Sequence, residues 1–122
     1  KHFTSWLNLA PNNKISGGKL LSSRIPKKKN HAGQIFKMAA FAVQRSDNWL
    51  AKFFQRMKSK RGTQKAVVAT ARKIAVIFYK LLREKTKFNP VPIEMYMDGF
   101  KQYQIKKLKR HALSLGYQLV DM

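Results

Sequence analysis

The chain has 122 residues, 44% of them hydrophobic, with 26 Lys and Arg against 5 Asp and Glu. That is one domain's worth of protein with a single modest core, which excludes wholesale disorder. A formal charge of +21 excludes an ordinary solvated surface, and the lack of cysteine excludes a disulfide scaffold, a thiolate metal site and a cysteine nucleophile.

Residues 1–30 read as a polar, irregular, basic segment. Pro11-Asn12-Asn13 and Gly17-Gly18 are turn signals, and Pro26 precedes a lysine run. Ser5 to Leu9 and Lys19 to Ile25 each suit a short extended stretch or a turn of helix. The first residue is Lys1 rather than Met, and no apolar leader follows, so the sequence is expected to be a piece of a longer protein with no sign of secretion.

Residues 31–88 read as the core helices. Asn30 suits an N-cap, and Ile35, Met38, Ala39, Ala42 and Val43 follow the helical period. Ser46 or Asp47 is expected to cap a second helix, with Trp49, Leu50, Phe53, Phe54 and Met57 as its inward stripe and Gly62 as its stop. Thr63 opens a third helix. Its broad apolar face, Val67, Ala71, Ile74, Ala75, Phe78, Leu81 and Leu82, makes it the expected centre of the core.

Residues 89–122 form a proline-linked basic helix and tail. Asn89-Pro90-Val91-Pro92 breaks the chain, because proline lacks the N–H a helix interior needs. A fourth helix is expected from about Ile93 to Leu115, with Met97, Phe100, Leu108, Ala112 and Leu115 inward and Gly116 as terminator. The predicted fold is therefore all-α: a small bundle of about four helices preceded by a basic glycine-containing loop, with short extended segments near the N-terminus.

Chemistry is scarce in this composition. The acids Asp47, Glu84, Glu94, Asp98 and Asp121 are too few and too scattered for a two-metal site, and His2, His31 and His111 show no ligand spacing. Tyr79, Tyr96, Tyr103 and Tyr117 lack the arginine and histidine constellation of a tyrosine recombinase. The longest apolar runs fall far short of the ~20 residues that span a bilayer.

One loop stands apart: Lys14-Ile15-Ser16-Gly17-Gly18-Lys19. Glycines let a backbone approach a phosphate, and lysines supply charge to a phosphodiester or a developing oxyanion. The Ser16 hydroxyl could then attack phosphorus, given a base or metal to activate it. The competing reading is an ordinary serine turn between solvated lysines. The loop is not a P-loop, whose spacing is absent.

Three basic clusters carry the excess charge. Arg24, Lys27, Lys28, Lys29 and Lys37 form the first; Lys52, Arg56, Lys58, Lys60, Arg61 and Lys65 the second; Lys101, Lys106, Lys107, Lys109 and Arg110 the third. Acids to pair with them are missing, so a polyanion is the expected partner. Such contacts position a nucleic acid without reading its bases. The aromatics Trp49, Phe53, Phe54, Phe78 and Phe100 are expected in the core, while Phe3 and Trp6 either stack on a base or anchor the loop.

The segment Phe3 to Pro11, followed by Asn12 to Lys19, resembles the C-terminal transposase domain of RNA-guided (bridge-RNA type) serine insertion-sequence transposases. Members of that bacterial family carry an N-terminal RuvC-like domain. The likeness continues through Lys29 to Ala32, Met38 to Ala40 and Ala71 to Leu82, and into the tail from Leu108 to Val120. Asn8 stands where the family often has glycine, and His31 and Arg72 where arginine and histidine are expected.

The resemblance implies a covalent phosphoserine mechanism with Ser16 as nucleophile; from the loop's own chemistry, Lys14, Lys19 and the Gly17 and Gly18 amides are expected to stabilise the phosphate charge. It implies DNA, a guide RNA and further transposase protomers as partners, with no membrane, in the bacterial cytoplasm near the nucleoid. The chain itself is expected to need no cofactor, Mg²⁺ belonging to the RuvC-like domain, and the isolated piece is expected to bind without cutting. The alternative is a non-catalytic basic helical module that binds RNA or DNA, of ribosomal or nucleoid type. A membrane-surface amphipathic protein is a third reading, opposed by the apolar faces that suit a self-contained core.

Overall fold

The computed structural model describes residues 2–122; Lys1, the first residue of the basic segment, lies outside them. The protein is mainly helical, with a small two-stranded sheet. It divides into two compact units, Lys1–Asn89 and Pro90–Met122.

The first unit begins with a short helix, α1 (His2–Trp6). Its last turn is closed by bonds from Leu7 N–H to the Phe3 carbonyl and from Leu9 N–H to the Thr4 carbonyl, both 3.0 Å. Asn8 takes the left-handed conformation, φ 57°, that turns the chain out of the helix. This is one of the few non-glycine residue types that visits that region readily. The turn drives Leu7 and Leu9 into the interior, where both are almost fully buried. The segment is therefore an anchor rather than an irregular loop.

A hairpin follows: β1 (Lys14–Ser16) and β2 (Lys19–Ser22), antiparallel, with Gly17 and Gly18 as its two-residue loop. Both glycines have positive φ, 55° and 74°, as a type I′ turn demands. Lys14 pairs with Ser22, Ile15 with Leu20 and Ser16 with Lys19, leaving Leu21 as the extra residue of a bulge. Asn12 N–H closes the base of the hairpin on the Arg24 carbonyl at 2.9 Å.

Three longer helices build the core: α2 (His31–Val43), α3 (Trp49–Arg61) and α4 (Thr63–Glu84). Asn30 caps α2, its side-chain oxygen accepting from Gly33 N–H at 3.0 Å. Its amide also donates to the Trp6 carbonyl at 2.8 Å, tying α2 to α1. The cap of α3 is Asn48, accepting from Ala51 N–H at 3.0 Å, not Ser46 or Asp47. Ser46 N–H instead bonds the Val43 carbonyl, in the turn that leaves α2. Gly62 ends α3, and α4 begins at the next residue.

Helix α4 is the centre, packing against α1, α2 and α3. Its buried positions are Ala66, Val67, Thr70, Ala71 and Ala75. These are small residues, and they let neighbouring backbones come close. From the others come Leu7, Leu9, Ala40 and Phe54. Of the stripe expected on α3, Leu50, Phe53 and Phe54 are buried, while Trp49 and Met57 are half-buried. Phe78 and Leu82 of α4 lie beyond the buried section and are exposed.

Helix α2 corrects the periodicity reading. Ile35 and Met38 face solvent, 55% and 71% exposed, whereas Gly33 and Ala40 are buried and Phe36 packs against the core. The helix is apolar nearly all round, so several stripes fit its period. Close approach to α1 and α4 selects the face carrying the smallest residues. Phe3 completes this side, stacked on Tyr79 at 5.4 Å and edge-on to Phe36 at 6.2 Å.

The second unit holds α5 (Ile93–Ser114), which follows Pro90-Val91-Pro92. None of its residues is buried. Met97, Leu108 and Leu115 are exposed, and Phe100 and Ala112 only half-buried, against the expectation of an inward stripe. Lys101 lies one turn from Met97 and two from Leu108, and Lys107 two turns from Phe100. The charges therefore interrupt the apolar face. Tyr117 N–H bonds the Ala112 carbonyl at 2.8 Å across Gly116, closing the helix.

Candidate nucleic-acid interface

Ser16 is the last residue of β1, immediately before the turn, and is exposed. Side chains alternate along a strand, and directly opposed residues share a face. Lys14 and Ser16 therefore share one face of the hairpin with Lys19, the partner of Ser16, while Ile15 and Leu20 take the other. A hydroxyl thus stands between two lysine chains, beside two glycine amides, at a tip open to solvent. All five residues from the sequence reading, Lys14, Ser16, Gly17, Gly18 and Lys19, come together here. The nearest acid in sequence is Asp47, so the hairpin carries no carboxylate of its own to act as base.

At the foot of the hairpin lies a groove of about 1040 Å³, bounded by Ser23 to Ile25, α3 and α4. Among the described residues, five cations line it, Arg24, Arg61, Lys65, Arg72 and Lys73, and no acid does. Its floor is apolar and aromatic, with Trp49, Phe53, Val68 and Val76. The Lys73 ammonium lies over both rings, 4.8 Å from the Phe53 centroid and 5.8 Å from that of Trp49. The Arg56 guanidinium covers Phe53 at 5.4 Å. Each such contact contributes about 0.5–1 kcal/mol when exposed, enough to bias a lysine chain without fixing it.

Of the basic residues singled out from sequence, Arg24, Arg61 and Lys65 line this groove. Lys27, Lys28 and Lys29 lie on the exposed chain leading to α2, where the Lys28 carbonyl accepts from the Asn8 amide at 2.8 Å. Lys37, Lys52 and Arg56 are half-buried on α2 and α3. Lys58 and Lys60 stand in the last turn of α3, where cations also favour the helix dipole. Lys106, Lys107, Lys109 and Arg110 are exposed on α5.

Sequence reasoning did not place Arg72 and Lys73 with the other groove cations. The signal was present: Lys65 and Arg72 are seven apart on α4, with Val68, Ala69 and Val76 on the same stripe. That stripe was hidden by the stronger apolar face beside it.

Among the described residues, no group of three or more His, Asp or Glu is placed to hold a metal ion. No helix among them is long and apolar enough to cross a membrane. Comparison with protein-family models, with curated proteins and with solved structures finds no match to this chain.

Proposed function

We propose that this chain is a nucleic-acid-binding domain that presents Ser16 as the nucleophile of a DNA transposase or recombinase, guided by RNA. The observation that supports it is the hairpin tip: an exposed hydroxyl flanked by Lys14 and Lys19 and followed by two glycines at positive φ with open space beside them, a backbone that lets a phosphate approach closely.

In this reading the Ser16 Oγ forms a bond to phosphorus, and the bond from phosphorus to one strand oxygen breaks. The departing oxygen takes up a proton, and the serine proton passes to a base. Lys14, Lys19 and the glycine amides offset the charge that builds on the phosphate. Serine is weak at its ordinary pKa and needs activation. No acid of the hairpin supplies it, and in this reading the RuvC-like domain that the resemblance implies is the expected helper. Mg²⁺ belongs to the RuvC-like domain that the sequence resemblance implies; the described residues do not fit such an ion, and no step of this chain runs through it.

The test is Ser16→Ala in the protein joined to its RuvC-like domain. The expected result is loss of the covalent protein–DNA adduct with nucleic-acid affinity kept within about twofold. Strand exchange that survives the change overturns the assignment of Ser16. The isolated chain is expected to bind DNA or RNA and form no adduct.

A second reading is a non-catalytic nucleic-acid-binding module. The groove favours it, since its cations and aromatic floor need no help from Ser16. Unaltered function of the Ser16→Ala protein would select it.

A further inference from the structure

The groove at the foot of the hairpin mixes two features that a duplex would not use together. A duplex turns phosphates and sugars outward and keeps its base faces stacked inside. Five cations suit those phosphates, but the aromatic and aliphatic floor would be buried against nothing that matches it. An unpaired strand offers both surfaces: a charged backbone and free base faces.

We propose that this groove seats an unpaired stretch of nucleic acid, with the backbone on Arg24, Arg61, Lys65 and Arg72 and a base stacked on Trp49. The proposal rests on the nucleic-acid reading above and narrows it to single strands. Lys73 is the placeholder. In the unliganded chain its ammonium covers Trp49 and Phe53. That contact is weak at an exposed site, so an entering base displaces it, and the freed ammonium moves to the adjacent phosphate. The exchange trades the two cation–π contacts of Lys73 for a stacked base and an ion pair. The residues that line the groove all belong to the first unit.

The test uses the whole chain at low salt with a fluorescent oligothymidylate of about 15 nucleotides, the matching oligouridylate, and the oligothymidylate annealed to its complement. The single strands are expected to bind at least about tenfold tighter than the duplex, and the tighter of the two identifies DNA or RNA as the source. Trp49→Leu, which keeps an apolar side chain but removes the ring, is expected to lose about tenfold of single-strand affinity and leave duplex affinity unchanged. A second measurement needs no change in the groove. The chain has two tryptophans, so Trp6→Phe leaves Trp49 as the sole emitter, and oligothymidylate is expected to quench it.

Equal binding of duplex and single strand, or single-strand binding with unchanged Trp49 emission, overturns the proposal and leaves the nucleic-acid reading standing. Failure to bind any of the three probes overturns both.

Discussion

Gly33 of α2 lies against the Leu7 carbonyl, so close that a β-carbon at position 33 would collide with that oxygen. The obstacle is backbone, which cannot swing aside. This contact is where the end of α1 meets α2, beside the buried Leu7 side chain.

Gly33→Ala is therefore expected to destabilise the first unit by about 2–3 kcal/mol, as overpacking against fixed atoms does. Gly99, in the middle of α5, is the control. A β-carbon there meets nothing, so Gly99→Ala is expected to favour α5 by about 0.5–1 kcal/mol. Chemical denaturation with helix content as the readout distinguishes the two. An equal response at both sites would show that the close approach is absent in solution.

Thr70 is fully buried at the centre of α4, and its hydroxyl has no hydrogen-bond partner. An unsatisfied buried hydroxyl costs about 1–3 kcal/mol. Thr70→Val keeps the shape and removes the polar atom, so it is expected to raise stability by about 1 kcal/mol, seen as a higher denaturation midpoint. A loss of stability would mean that the hydroxyl is engaged after all.

Asn30 and Asn48 both cap helices, but only Asn30 also holds a second segment through the Trp6 carbonyl. Asn48→Ala is expected to cost about 1 kcal/mol. Asn30→Ala is expected to cost about twice that, because it also removes the second hydrogen bond, to the Trp6 carbonyl. Hydrogen exchange of the amides from Thr4 to Leu9 should quicken in the Asn30 variant and not in the Asn48 variant.

Nucleic-acid binding is expected to fall steeply with salt. Each phosphate neutralised on a single strand contributes a slope of about −0.7 in log affinity against log salt. Arg72→Gln or Arg61→Gln should each make the slope shallower by about 0.7. An unchanged slope in both would place the strand outside the groove.

The helices and their breaks were legible because the signals are local. Asn30 caps, Gly62 stops and the Asn89 to Pro92 break act within one turn of themselves. The glycine pair at 17 and 18 marked a turn for the same reason. The cap at Asn48 was misplaced by one or two residues because Ser46, Asp47 and Asn48 are all good caps. Only the course of the preceding turn chooses among them.

Composition and local pattern alone determined that this is a basic, helical, cysteine-free chain with a serine between lysines beside a glycine turn; the exposure of that serine came from the structure. Tertiary structure decided which face of α2 is buried, that Leu7 and Leu9 belong to the core, and that Arg24 meets Arg61 and Arg72 across one groove. The reason is that periodicity names a buried face only when one stripe stands out. Where a helix is apolar all round, backbone distance decides, and distance is set by small residues such as Gly33, Ala40 and Ala71 on elements far apart in sequence.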